Sequence, residues 1–170
     1  FHLDGMADTA DGLYGHRELE KALAIIKDSR VGAMGLVADA CVLIVKAAAE
    51  GSIIHGRFLA LMIFPAYARS AMMAGIRFLT YARGKEGTGS AFFETPLSEV
   101  DFRYVDAPVI LSLCLGWRGL LLFLFLGAAA MAMICLYRKK LAGITGDLLG
   151  AMTEIMEALL FLTVCVGGSP

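Results

Sequence analysis

Three aspartates at helical spacing open the chain: Asp4, Asp8 and Asp11, within Phe1-His2-Leu3-Asp4-Gly5-Met6-Ala7-Asp8-Thr9-Ala10-Asp11-Gly12. At about 100° per residue, Asp8 falls about 40° from Asp4 and Asp11 about 20° to its other side, so all three line one stripe. Unpaired carboxylates this close repel one another and raise one another's pKa, which a divalent cation or an oligocation relieves. The Asp-x-Asp-x-Asp-Gly loop of an EF-hand and its later bidentate Glu are both missing. Magnesium, held by a few carboxylates and a phosphate ligand, is therefore the expected ion. A plain acidic helix face is the alternative, against which the glycines and the apolar Leu3, Met6 and Ala7 argue.

A second constellation is Lys27-Asp28-Ser29-Arg30-Val31-Gly32-Ala33-Met34-Gly35. Asp28 can join a metal cluster or cap the following helix, and Ser29 can also cap it. Lys27 and Arg30 add positive charge, and the glycines allow close backbone approach, an arrangement suited to phosphate. A capped helix with snorkelling basic residues explains the same segment without a ligand.

The third is Gly143-Ile144-Thr145-Gly146-Asp147-Leu148-Leu149-Gly150-Ala151-Met152-Thr153-Glu154. Asp147 and Glu154 share a helix face, about 20° apart. An acidic pair entering an apolar segment is costly without a partner, which favours a site, although Asp147 alone could serve as a cap. A fourth element is Arg69, four residues after Pro65 in another apolar run. Its guanidinium needs a counter-charge, either a phosphate or a carboxylate. Acidic clusters, cations and glycine hinges together suggest phosphoryl or nucleotidyl transfer on a diphosphate, with a carboxylate deprotonating an attacking hydroxyl.

The elements that must position these groups read as membrane helices. Of the 170 residues 58% are hydrophobic and 18% charged, and the mean hydropathy is +0.71, outside the usual range of soluble domains. Nineteen glycines suit close helix packing in lipid, and a net charge of −1 gives no case for nucleic acid. Cys41, Cys114, Cys135 and Cys165 lie in apolar runs without CxxC spacing and are expected to be buried small hydrophobes.

Residues 2–12 and 17–27 are expected to form two short helices, the second one wet. Candidate spans are 32–49, 58–81 with a kink at Pro65, and about 148–166. Residues 107–137 make either a pair of short spans turning at Trp117-Arg118-Gly119, the preferred reading, or one long tilted helix. Asp39 and Lys46, inside the first span, either pair with each other or leave Lys46 to snorkel. The glycine-rich polar stretch from Arg83 to Ser90 lacks the Walker pattern and reads as a flexible loop that could touch phosphate. With the paired reading, Lys27, Arg30, Arg83, Lys85, Arg103, Arg138, Lys139 and Lys140 share one side, and only Arg57 and Arg118 the other. The positive-inside rule makes the first side cytoplasmic, and all three motifs lie on it.

In order and approximate spacing these motifs resemble those of the cobalamin synthase family, the adenosylcobinamide-GDP ribazoletransferases, over essentially the whole chain. The resemblance implies an all-α, polytopic integral membrane bundle with short helices at the cytoplasmic face, of the bacterial or archaeal cytoplasmic membrane. It implies a single membrane-embedded catalytic domain over 1–170, with a membrane segment of the family expected ahead of Phe1. The implied reaction joins adenosylcobinamide-GDP to α-ribazole or its 5′-phosphate and releases GMP, late in cobalamin biosynthesis. The implied cofactor is magnesium.

By the resemblance Asp4, Asp8, Asp11, Asp28 and Asp147 are the candidate metal positions, with Asp8 and Asp147 the candidate catalytic ones. Lys27, Ser29, Arg30, Arg69, Thr145 and Glu154 are the candidate substrate contacts. Implied partners are the corrinoid-GDP substrate, α-ribazole and the lipid bilayer, with an oligomer left open.

Two rivals remain. Asp8-x-x-Asp11-Gly12 and Gly35-x-x-x-Asp39 are similar in part to the CDP-alcohol phosphotransferase motif, but its Ala-Arg pair is absent and the spacing too long; that chemistry would release CMP. A proton-coupled transporter would spread Asp39, Lys46, Arg69 and Glu154 through the membrane depth.

Overall fold

The computed structural model of the chain describes residues 1–15, 18–28, 30–53, 57–84, 87, 89–113 and 117–166. These form seven α-helices: α1 His2–Leu13, α2 Leu19–Lys27, α3 Ala33–Ser52, α4 Arg57–Phe78, α5 Arg103–Leu113, α6 Trp117–Leu141 and α7 Gly146–Val166, with a short 3-10 helix at Ser90–Phe93. No strand occurs among the described residues, apart from a single parallel bridge between Tyr81 and Ile144. The fold is all-helical.

α7 is the central helix, in contact with α1, α3, α4 and α6. Its Leu148, Met152, Met156 and Leu160, spaced every four residues, are fully buried, the stripe a helix needs on its core face. They meet Ile63, Phe64, Ala68 and Ala71 of α4 and Leu126, Ala130, Ile134, Tyr137 and Leu141 of α6 in one core. Phe64 and Phe161 pack edge to face, with ring centroids 4.9 Å apart.

Two helices, Arg57–Phe78 and Gly119–Leu141, are long and apolar enough to cross a membrane. Their outer faces carry exposed Phe58, Leu61, Met62, Leu120, Leu121 and Phe125. α3 and α7 have the length to span but carry more charge: Asp39, Lys46 and Glu50 on one, Asp147, Glu154 and Glu157 on the other.

Several expectations change. The apolar run 107–137 is divided between two helices, as in the preferred reading, but they differ in length. α5 has 11 residues and α6 has 25, too unequal for a symmetric pair, since 11 residues rise only about 16 Å. The expected turn at Trp117-Arg118-Gly119 is instead the first turn of α6, and Gly119 faces the Ser112 backbone so closely that a Cβ has no room. Pro65 lies inside α4, which is continuous from Arg57 to Phe78.

Cys41 and Cys135 are exposed, not buried, and Cys165 is half-buried. Apolar runs here cover outward as well as inward helix faces, so an apolar neighbourhood does not imply burial. Arg17, Ser29, Lys85 and Cys114 lie outside the described residues.

Candidate active site

The site is assembled where α1 docks on the beginning of α7. Gly5 allows the approach: a Cβ there would stand 2.5 Å from the Asp147 carbonyl oxygen and 2.9 Å from its Cα. Gly150 repeats the contact one turn on, against the backbone of His2. Two helix backbones touch, and the carboxylates beside the contact face a common region.

Asp8 is buried, at 8% exposure. Burial, then the carboxylates of Asp4, Asp147 and Asp11, push its pKa up to about 6, against the opposing pull of Arg83. Asp4, Asp11 and Asp147 thus each lie within electrostatic reach of Asp8.

Asp11 is placed differently from Asp8. The Gly32 N–H donates to its Oδ2 at 2.7 Å and the Gly35 N–H to its Oδ1 at 2.9 Å. Asp11 therefore caps the N-terminus of α3 from another helix, satisfying donors that would otherwise be orphaned. Gly32 and Gly35 are glycines for this reason, since a Cβ on either would sit 2.5 Å from that carboxylate.

Asp28 does not join the acidic group. Its two oxygens take a forked pair from Arg30, Nε at 3.0 Å and Nη2 at 2.6 Å, and these hydrogen bonds hold its pKa below the usual carboxylate value. The fork of Arg30 is correspondingly engaged, so neither residue presents the free group expected of a metal ligand or a diphosphate contact. Both line a groove of about 360 Å³ with Asp11, Tyr14 and Gly32. Lys27 ends α2 and is exposed; Ser29 is outside the described residues.

Thr145, expected at the substrate, is fully buried, and its Oγ1 accepts from the Leu148 N–H at 3.3 Å. It caps α7. Asp147, one residue inside the helix, is thereby left for other work.

Glu154 and Arg69 belong to a separate charge network. The Lys46 Nζ donates to Glu154 Oε2 at 3.0 Å and to Glu157 Oε2 at 2.5 Å. Arg69 Nη1 lies 3.8 Å from Glu157 and donates to the Pro65 carbonyl at 2.9 Å. Lys46 thus turns inward to α7 and neither snorkels nor pairs with Asp39, because the buried Glu154 and the half-buried Glu157 need its charge. His2 Nδ1 stands 4.0 Å from Glu154. Glu154 is engaged by Lys46, which accounts for it without a substrate.

Arg83 is the residue that sequence reasoning left out of the site. The Ala82 N–H donates to the Ile144 carbonyl and the Ile144 N–H to the Thr80 carbonyl, each at 2.9 Å. This short parallel pairing ties the segment after α4 to the entry of α7. Arg83 follows directly, with Nη1 3.0 Å from Asp147 Oδ2. The signal in sequence was a basic residue between an apolar span and a glycine-rich stretch, which marks a phosphate-contacting loop only loosely.

Among the described residues, no three His, Cys, Asp or Glu side chains stand at metal-ligand distances, so those residues form no all-protein cage. The donors present are Asp4, Asp8 and Asp147, the last with a buried Oδ2 that accepts no aligned hydrogen bond. That set fits a cation bound through one or two carboxylates, with water or another oxygen ligand completing its shell.

The family model for cobalamin-5-phosphate synthase matches residues 1–165. Curated relatives named adenosylcobinamide-GDP ribazoletransferase include one from Acetivibrio thermocellus, 34% identical over 95% of this chain and 66% of that protein. Another, from Syntrophobacter fumaroxidans, is 38% identical over 94% of this chain and 65% of that protein. A third, from Listeria welshimeri serovar 6b, is 34% identical over 99% of this chain and 69% of that protein. The chain therefore spans about two thirds of the length of the curated relatives it matches. No solved structure matches it. A match over nearly the whole chain, with the aspartate-bearing first and last helices both inside it, shows that this chain belongs to the cobalamin-5-phosphate synthase family.

Proposed function

We propose that this chain carries the active site of an adenosylcobinamide-GDP ribazoletransferase, a magnesium-dependent membrane enzyme that joins adenosylcobinamide-GDP to α-ribazole or its 5′-phosphate. One P–O bond of the diphosphate breaks and leaves with GMP. One P–O bond forms to the ribazole hydroxyl, whose proton passes to a base. The observation that carries this reading is the docking of α1 on α7 at Gly5 and Asp147, which gathers Asp4, Asp8 and Asp147. Family membership supports the substrates and disfavours the release of CMP.

Asp8 is the proton acceptor in this reading. A carboxyl with its pKa at about 6 is a stronger base than an ordinary carboxylate and is still ionised at neutral pH. Asp4 and Asp147 flank it and would hold magnesium, which when bound supplies charge neutralisation at the diphosphate and its leaving group. Asp11 sets the position of α3 and so fixes the wall of the site. α3, α4 and α7 cross the membrane, while α5 and α6 together carry the chain in and back, so that the ends of α4 and α6 meet where Arg138 donates to the Phe78 carbonyl. The basic groups at Lys27, Arg83 and Arg138 to Lys140 then share one face, which the positive-inside rule favours as cytoplasmic.

The test is GMP release by the native-length protein in membranes supplied with adenosylcobinamide-GDP, α-ribazole and magnesium. Asp8→Asn and Asp147→Asn should each abolish release while the protein stays in the membrane fraction. Wild-type rates in both variants would remove these residues from the site, and absence of GMP from the wild type would remove the reaction.

A further inference from the structure

Arg83 is built unlike the other arginines at this end of the bundle. Its side chain is 16% exposed, yet its Nε and Nη2 are buried and have no hydrogen-bond partner among the described residues. A desolvated donor left unpaired is costly, and more so on a charged group. Two on one guanidinium form a large local deficit. Nη1 is taken up by Asp147 at 3.0 Å, so the orphaned pair is the guanidinium's side edge, where two N–H groups point in parallel. That edge matches two oxygens of one phosphate or carboxylate.

Among the described residues, the nearby carboxylates do not fill this edge. Asp147 takes only Nη1, and the influence of Arg83 on Asp8 is through space without a hydrogen bond. Arg30, in contrast, has its fork on Asp28, and Arg69 rests on a backbone carbonyl. The backbone holds Arg83 in place: Thr80 and Ala82 are hydrogen-bonded to Ile144, and Gly89 packs on Gly146 at a spacing that admits no Cβ. A preorganised cation with an unpaired fork beside a carboxylate cluster is suited to a ligand carrying both phosphate oxygens and a metal-binding edge.

We infer that Arg83 is a substrate-binding residue that receives a phosphate group of the diphosphate through its Nε–Nη2 edge while Nη1 holds Asp147 in position. The inference deepens the proposed function and rests on it for the identity of the diphosphate ester. The anion site itself is defined by the guanidinium and stands apart from the reaction.

Arg83→Lys keeps the positive charge facing Asp147 but removes the fork. In membranes of the native-length protein, its KM for adenosylcobinamide-GDP should rise about tenfold or more, with the KM for α-ribazole and the thermal midpoint unchanged. Inorganic pyrophosphate, titrated onto the purified protein in detergent by calorimetry with magnesium present, should bind the wild type. It should bind Arg83→Lys at least about tenfold more weakly. An unchanged KM for adenosylcobinamide-GDP, or equal pyrophosphate affinity in both proteins, overturns the inference, as does an equal rise in both KM values with a lowered midpoint. If the wild type releases no GMP but binds pyrophosphate in an Arg83-dependent way, the anion site stands and the proposed reaction falls.

Discussion

Gly5 and Asp147 meet backbone to backbone, with room for a hydrogen and none for a methyl: a Cβ on Gly5 would lie 2.5 Å from the Asp147 carbonyl oxygen. Neither atom is the end of a flexible side chain, so a substitution must move a helix. Gly5→Ala is expected to lower stability by about 1–3 kcal/mol and to reduce GMP release far more than that loss of folded protein explains. Thermal melts alongside rates per folded molecule check this. A variant that melts lower but keeps its specific rate would mean that the α1–α7 distance is unimportant for chemistry.

Asp11 and Asp8 occupy one helix face but should fail in different ways. Asp11→Ala removes the acceptor for the Gly32 and Gly35 N–H groups and should cost about 1–2 kcal/mol, while the magnesium concentration giving half-maximal rate stays put. Asp8→Asn should leave the melt nearly intact and stop turnover. A magnesium titration of both variants separates the two roles; a shifted magnesium requirement in Asp11→Ala would assign that carboxylate to the metal.

The stability of metal-free protein should fall as pH rises from about 4 to above 6. Asp8 titrates at about 6 in the fold, up from its ordinary 3.8, because of burial and its acidic neighbours. Between those values the folded state holds more protons than the unfolded one, so folding is favoured at the acid end and that contribution is lost as Asp8 ionises. Melting in chelator at pH 4.5, 5.5 and 7 should show this decline, and Asp8→Asn should flatten it. Magnesium should recover more stability at pH 7 than at pH 4.5.

Lys46 bridges Glu154 and Glu157 across α3 and α7. Lys46→Met leaves two poorly solvated carboxylates with Arg69 near only one of them, a loss of about 3 kcal/mol or more. Lys46→Met combined with Glu154→Gln should be less destabilised than the sum of the single variants, because the second change removes one of the stranded charges. Strict additivity in melts of the four proteins would mean that the network is not coupled.

Helix positions and motif order were legible in the sequence because they depend on local pattern. The two short amphipathic helices, the span at α4 and the start of α7 fall within a few residues of where apolar periodicity and polar breaks put them. The acidic stripe was equally legible, since Asp4, Asp8 and Asp11 repeat at helical intervals whatever the helix packs against. What each carboxylate does was not, because that depends on the partner across the interface. Asp11 meets two glycine amides, Asp28 meets the arginine two residues on, and Asp8 meets other acids; spacing along one helix distinguishes none of these. Lys46 shows the same limit. Its own helix offers Asp39 and Glu50 at helical spacing, but the acids that hold it come from α7, brought there by tertiary packing. Arg83 depended on a two-bond pairing between distant segments, too short to leave any strand pattern in the sequence.

That pairing, with the docking of α1 on α7, has a consequence for biosynthesis. The proposed base belongs to α1, its neighbouring carboxylate to α7, and Arg83 is anchored only when Ile144 arrives. Everything between must be threaded and in register before these groups meet. A nascent chain lacking α7 therefore holds neither the acidic pair nor the anchored arginine, and is inert toward a nucleotide-activated substrate. Errors of folding anywhere along the chain surface as one failure, a site that never closes, so that catalytic competence itself certifies a completed topology.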